Sequence, residues 1–255
     1  MKQSRLFTFT ATVSLLFSAV PAWSADVPPV GEMKTNKWES SAAAGLTLTR
    51  GNSSTLMATA AGATVRKWED DELSFGADAT YGKTRINGVS SENAESLHGS
   101  VQYNRLFTER LYGYARVEGL HDGIADITYR VTLSPGAGYY FIKEKTMDLS
   151  AEVGPGYVIE KLGHTTDDYA TLRVAEKFHY QLSDHARLWQ MAEWLPQVDD
   201  FDNYIINAEI GIEADLTKDK RLAMRSYLQD TYNNRPAANR QKNDAKLVTA
   251  IAYKF

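Results

Sequence analysis

The sequence predicts a single antiparallel transmembrane β-barrel of about 12 strands. Three observations predict it: period-two alternation over unusually long runs, polar breaks that alternate short and long, and an aromatic C-terminus on alternate positions of the last run. Composition agrees. The chain has 255 residues, 43% hydrophobic and 24% charged, with mean hydropathy −0.39. Beyond the N-terminus it has no apolar stretch of the ~20 residues a membrane helix needs. Its charged and aromatic content is that of a folded chain rather than a disordered one. Cys is absent, which excludes disulfides, thiolate catalysis and Cys-ligated metal. The net charge of −4 leaves no basic footprint for nucleic acid, so no nucleic-acid partner is expected.

The first segment reads as an address. Lys2 and Arg5 precede the apolar run Leu6 to Val20, Pro21 breaks it, and Ala22 and Ser24 supply small residues before a cut after Ser24. This is the pattern of a secretory signal peptide over residues 1–24. Its removal takes the formal charge from −4 to −6. Residues 25–37 read as an extended periplasmic leader, because Pro28-Pro29 disfavours helix. The barrel is then expected over 38–255.

Strands are expected near 38–49, 55–68, 72–82, 95–107, 111–120, 127–142, 147–160, 168–182, 186–196, 203–216, 221–232 and 245–255. In the first, Trp38, Ser40, Ala42, Ala44, Leu46 and Leu48 share a face. In the third, Leu73, Phe75, Ala77, Ala79 and Tyr81 oppose Ser74, Gly76, Asp78 and Thr80. The sixth sets Ile127, Tyr129, Val131, Leu133, Pro135, Ala137, Tyr139 and Phe141 against Thr128, Arg130, Thr132, Ser134, Gly136 and Gly138. The seventh sets Met147, Leu149, Ala151, Val153, Pro155 and Tyr157 against Asp148, Ser150, Glu152, Gly154 and Gly156. The tenth sets Tyr204, Ile206, Ala208, Ile210, Ile212, Ala214 and Leu216 against Asn203, Asn207, Glu209, Gly211, Glu213 and Asp215. This is strand periodicity, sustained past the ~5–6 residues of a soluble strand and over the ~9–11 a tilted membrane strand needs. Near 55–68 and 186–196 either register is open. Glu176 falls on the outward face and breaks its pattern.

Short breaks at Glu69–Asp71, Thr108–Arg110, Lys143–Thr146, Ser183–His185 and Thr217–Lys220 recur roughly every 37 residues, one hairpin and its return. Between them lie mostly longer polar stretches, at Lys83–Ala94, His121–Asp126, Lys161–Asp167, Gln197–Asp202 and Asn233–Asp244, with a short one at Arg50–Ser54. Short periplasmic turns and longer extracellular loops are the pattern of a membrane barrel. Aromatics gather near strand ends: Trp38, Trp68, Phe107, Phe141, Tyr180 and Phe255 at one side, Tyr81, Tyr129, Tyr157, Tyr169, Tyr204 and Tyr232 at the other. Two interface girdles are expected. The terminal Phe255, with Tyr253 and Ile251 on its face, is the feature that bacterial barrel-assembly machinery recognises, so that machinery is an expected partner beside membrane lipid and lipopolysaccharide.

Several local features resemble the YdiY-like group, labelled salt-induced outer membrane proteins and otherwise a domain of unknown function. They are Gly51-Asn52 followed by Thr55; Glu109-Arg110-Leu111; Asp126 to Arg130 leading into Gly136-Ala137-Gly138-Tyr139; Glu152 to Tyr157; Leu182-Ser183-Asp184; Asp199-Asp200 before Tyr204 and Asn207; and Tyr232-Asn233, Pro236, Asp244 and Tyr253-Lys254-Phe255. The resemblance runs from about Trp38 to Phe255. It implies an outer-membrane barrel and, by its label, a link to salt or osmotic stress; it implies no activity.

The alternation aims Asp78, His98, Arg116, Glu118, Arg130, Glu152, Arg173, Lys177, His179, Glu209, Glu213 and Arg225 into the lumen. The candidate functional set is the lumen charge network of Arg116, Glu118, Arg130, Glu152, Arg173, Lys177, Glu209 and Arg225. Twelve strands lie between barrels that fill with side chains and those that leave a channel. The network is therefore expected either to lace a closed lumen or to line a narrow selective pore. No catalytic, cofactor or metal residues are expected. His98 and Ser100 share a face, but Leu97, Val101 and Tyr103 mark the other as lipid-facing, so a lipid hydrolase has its pair on the wrong side. His121, His164, His179 and His185 lack metal-ligand spacing. There is no Walker loop, nucleophile elbow or dinucleotide fingerprint. The expected function is non-enzymatic, a small pore or structural envelope barrel, with a lipid- or lipopolysaccharide-acting enzyme as the alternative.

Overall fold

The computed structural model describes residues 36–50, 53–86 and 89–255. The expected signal peptide, and all but the last two residues of the leader, lie outside them. Twelve strands follow in order: β1 (Trp38–Arg50), β2 (Ser53–Trp68), β3 (Asp71–Ile86), β4 (Val89–Leu106), β5 (Leu111–Asp122), β6 (Ile127–Lys143), β7 (Met147–Leu162), β8 (Thr165–Ser183), β9 (Ala186–Pro196), β10 (Tyr204–Asp215), β11 (Leu222–Asn233) and β12 (Asn243–Lys254). Each pairs antiparallel with its chain neighbours, and β1 closes on β12 into one barrel. The even strand number puts both ends of the barrel chain at one rim, called the terminal end below; the other is the far end.

Burial is inverted relative to a soluble domain. Leu97, Ile210 and Leu247 are 58%, 48% and 53% exposed, while Arg116, Glu152 and Arg173 are 2%, 2% and 0% exposed. An apolar exterior around a polar interior suits only a wall that meets lipid. Closure leaves few open sheet edges to meet hydrocarbon. The two ambiguous registers resolve the same way. Met57 and Val65 turn inward on β2 while Leu56 faces out, and Trp189, Met191 and Glu193 turn inward on β9 while Trp194 faces out. Glu176 does sit on the outer face, half-buried, between Ala151 and Ala192 of the neighbouring strands.

Three expectations need correction. The stretches Lys83–Ala94 and Lys161–Asp167 are largely strand, not loop: β3 and β4 stay paired from Arg85 to Ser90, and β7 and β8 from Leu162 to Thr165. Their polarity reflects wet strand ends projecting past the bilayer, held by cross-strand bonds such as Thr55 with Thr84 (3.1 Å), Asn93 to Thr84 (2.8 Å) and Tyr81 to Glu92 (3.1 Å). Ile127, placed on the outward face by its parity, is buried at 6%. A register shift between Ile127 and Tyr129 inserts the extra residue that reverses facing. Tyr169, expected in an outer girdle, is 8% exposed and points inward, donating to Glu160 (3.0 Å). The other five rings of that girdle remain on the outer face, with Tyr204 and Tyr232 stacked at 5.8 Å.

Candidate functional site

All eight residues of the sequence-derived lumen set point into the barrel, and seven of them are buried; Lys177 is half-buried. Alternation on clean strands brings them there, and side chains from neighbouring strands then connect them. At mid-lumen Arg173 donates from Nη1 to Glu152 (2.7 Å) and from Nε to Glu193. Its guanidinium lies 5.2 Å from the Tyr114 ring centre. Glu152 Oε1 also accepts from Gln102 (3.0 Å), Tyr112 (3.0 Å) and Lys177 (3.1 Å). Gln102 in turn accepts from Arg116 (2.9 Å), and Arg116 donates to Glu118 (2.8 Å). Glu118 lies 3.5 Å from His98 Nε2, whose Nδ1 is 3.1 Å from Asp78. On the other side Glu193 accepts from Asn207 (3.2 Å), which accepts from Thr231 (2.9 Å). One unbroken polar layer thus runs from β3 to β11 across the lumen.

Three smaller groups complete the set. Arg130 donates to Glu160 at 2.6 Å. Glu209 accepts from Trp189 and from Gln229 (2.5 Å). Arg225 donates to Glu213 (2.7 Å), which also holds Arg187 (3.0 Å) and Lys254 (2.7 Å). Burying a charge is costly unless it is paired and hydrogen-bonded; here each carboxylate is met by nearby donors. Glycines set the packing. The ring of Tyr112 fills the space a Cβ on Gly138 would take (2.1 Å from Cζ), and Trp189 does the same at Gly211 (2.1 Å).

The layer divides the axis. On its terminal side a cavity of about 490 Å³ opens outward, lined by Glu72, Gln102, Tyr112, Glu152, Lys177 and Lys254 among others. On its far side lies a cavity of about 60 Å³, lined in part by His98, Glu118, Asp122, Arg130, Asn207 and Pro236. The β11–β12 connection, residues 234–242, covers the far mouth. Asn234 bonds to the carbonyls of Tyr204 (3.0 Å) and Asp202 (2.6 Å), Arg235 pairs with Asp200 (2.6 Å), and Ala237 is buried.

Several members were not singled out from sequence. Glu193 and Trp189 lie on β9, where both faces are apolar enough to hide the register. Gln102 is uncharged but central. Glu160 lies near the end of β7, and Lys246, 2% exposed on β12, lies on a face of mixed character; continued alternation was the one signal that could have found them. His98 and Ser100 are both buried inside, 3% and 5% exposed, away from lipid. Among the described residues no group of three or more His, Cys, Asp or Glu could hold a metal ion.

This is an inside-out barrel with a polar lumen divided by a layer of ion pairs. The chain belongs to the family described as protein of unknown function, DUF481, whose model matches residues 42–255. No curated protein matches it. Solved structures similar to it include the NanC porin (8% identity, 85% of this chain and 98% of that one, TM-score 0.48). Others are the translocator domain of the autotransporter NalP from Neisseria meningitidis (13%, 86% and 87%, 0.44) and the outer membrane channel DcaP of Acinetobacter baumannii (10%, 86% and 95%, 0.42).

Proposed function

We propose that the chain is a non-enzymatic barrel of the bacterial outer membrane whose lumen is sealed, serving the envelope as a structural wall element. Its terminal end faces the periplasm, and the chain is exported by a cleaved signal peptide. The observation that carries this reading is Arg173: wholly buried at mid-lumen and tied to Glu152 and Glu193 on either side. Arg173, Glu152 and Glu193, at most 2% exposed, support a lumen filled by side chains at that layer. A lipid- or lipopolysaccharide-acting enzyme would need a nucleophile and base turned towards the bilayer, and the inward facing of His98 and Ser100 counts against it. The finer YdiY-like identity, with its link to salt stress, rests on the resemblance.

One observation favours a second reading, a gated narrow pore: cavities of about 490 and 60 Å³ lie on either side of the layer, so a rearrangement of the layer would be needed to join them. Conductance of the refolded protein in planar bilayers separates the two. The sealed reading expects a silent wild type and a conducting Glu152→Ala/Arg173→Ala/Glu193→Ala variant. Steady wild-type conductance would overturn it and establish the pore.

A further inference from the structure

One ionisable side chain is out of place on the outer wall. Glu176 of β8 faces outward, half-buried, four residues before the girdle residue Tyr180 and six after Ala170, which lies opposite Tyr157 of the other girdle. It therefore sits within the apolar belt. Charge on a lipid-facing wall costs stability in a depth-dependent way, and ionisable groups at membrane depth characteristically pair. Elsewhere on the outer face carboxylates are held, as Asp71 is by Arg105 (2.6 Å) and Asp230 by Asn243 (2.9 Å). Among the described residues Glu176 makes no hydrogen bond or ion pair. Nor does Gln190 of β9, which faces outward between the inward Trp189 and Met191.

The carboxyl and the amide are diagonal neighbours. Glu176 lies opposite Ala192, and Phe178 lies opposite Gln190. Paired rows climb towards the far end with strand number: the row that begins at Ala42, beside Tyr253, crosses Gly99 on β4 and Val131 on β6 and ends at Asp168, the fourth residue of β8. With ~4.8 Å between strands, ~3.3 Å per residue and a tilt of ~40°, the step from β8 to β9 climbs about 3 Å and two residues back along β9 descend about 5 Å. Glu176 and Gln190 thus lie within about 2 Å of one depth, about 8 Å apart around the wall. A two-fold axis along the membrane normal, midway between them, sets Glu176 of one copy opposite Gln190 of the other and Gln190 opposite Glu176, the reciprocity of an isologous contact. Ala192 and Phe178 fall close to that axis. Alanines at 151, 192 and 208, in one row with Glu176, keep the wall low enough for a second wall to reach the carboxyl.

We propose that the outer face of β8 and β9 is a dimer contact, in which a second copy of this chain supplies the partners: Gln190 of each copy donates from Nε2 to the Glu176 carboxyl of the other. The self-complementary placement of donor and acceptor at one depth is what selects a second copy as the occupant. The inference rests on the barrel spanning a membrane, and the test separates the two.

The test uses the exported chain from Ala25 carrying Ala192→Cys, refolded into phosphatidylcholine vesicles at low protein-to-lipid ratio and treated with a short bis-maleimide. The native chain has no Cys, so any crosslink reports that position. Expected is a crosslinked dimer from Ala192→Cys and none from Ala79→Cys, on the outer face of β3. Adding Glu176→Leu is expected to weaken dimerisation about tenfold while the barrel stays folded, because the change removes a lipid-facing carboxyl. The exchanged variant Glu176→Gln/Gln190→Glu keeps one donor opposite one acceptor and is expected to dimerise like the native chain. A shift in gel mobility on boiling reports folding of each variant, and quenching of outward Trp38 and Trp194 by brominated lipid reports insertion. Inserted barrels that stay monomeric, or that crosslink equally at 192 and 79, would overturn the dimer and leave the membrane reading standing. A dimer untouched by Glu176→Leu, or lost in the exchanged variant, would overturn the Glu176–Gln190 contact. A native chain that fails to insert would overturn both readings.

Discussion

At the residue scale the lumen is governed by an asymmetry. Deleting one member of a buried ion pair strands the other, whereas replacing the whole set by matched neutral groups need not be costly. Arg173 is the sharpest case, with side-chain exposure of 0% against 1% for Glu152 and 0% for Glu193. Arg173→Met is expected to destabilise the barrel by about 3–5 kcal/mol, read as a lower urea midpoint in vesicles. Adding Glu152→Gln and Glu193→Gln to it is expected to recover much of that loss. If the triple variant is as unstable as the single one, the charge argument fails. Packing gives a second test. Gly211→Ala drives a methyl into the Trp189 ring and is expected to cost about 1–3 kcal/mol by overpacking. In a Trp189→Ala background the same change is expected to be nearly neutral, a coupling that a double-mutant cycle measures directly.

At the element scale, what could be read beforehand depended on how cleanly each strand alternates. β7 and β10 place mostly small or polar residues inward and apolar ones outward, with Val158 and Ile205 as the buried exceptions, so Glu152, Glu209 and Glu213 were legible from their parity. β9 was not: Trp189, Met191 and Leu195 face in while Leu188 and Trp194 face out, and period-two reading cannot choose between two apolar faces. Register shifts were also invisible, which is why Ile127 fell on the wrong side. The polar ends of β3, β4, β7 and β8 read as loops because polarity alone does not distinguish a solvated ribbon from a turn. Partners were out of reach altogether: Gln102 and Glu152 are 50 residues apart, and no local pattern encodes their meeting. β12 carries its own test. Tyr253 and Phe255 face outward, 46% and 70% exposed, their rings stacked at 6.1 Å, and the proposed recognition by assembly machinery is testable there. Deleting Phe255 is expected to lower the amount of folded barrel in the outer membrane of cells several-fold while leaving refolding in detergent intact. Equal loss in both settings would make Phe255 a fold-stability residue instead.

At the scale of the whole molecule, the separation of exposed and buried charge is expected to make stability and, on the sealed reading, closure nearly independent of salt. The rim pairs Arg105–Asp71 and Arg235–Asp200 are both 2.6 Å long, but their arginines are 50% and 54% exposed, so water and ions reach them. The pairs of Arg173 with Glu152 and Glu193, 0–1% exposed, are reached by neither. Raising salt from about 0.1 to 1 M shortens the Debye length from about 10 to 3 Å, which screens the rim and leaves the layer from Asp78 to Thr231 little changed. Exposed pairs contribute about 0–1 kcal/mol each, so their loss moves total stability only slightly. The urea midpoint of the refolded barrel is therefore expected to stay nearly flat across that NaCl range, and its bilayer conductance to stay silent. Arg130→Ala supplies the contrast: it leaves Glu160 inside with Tyr169 but without the Arg130 pair at 2.6 Å, and its midpoint is expected to fall by the same amount at every salt concentration. A wild-type midpoint that drops steeply with NaCl, or conductance that switches on at high salt, would mean that ions enter the lumen, and the sealed-barrel reading would be wrong.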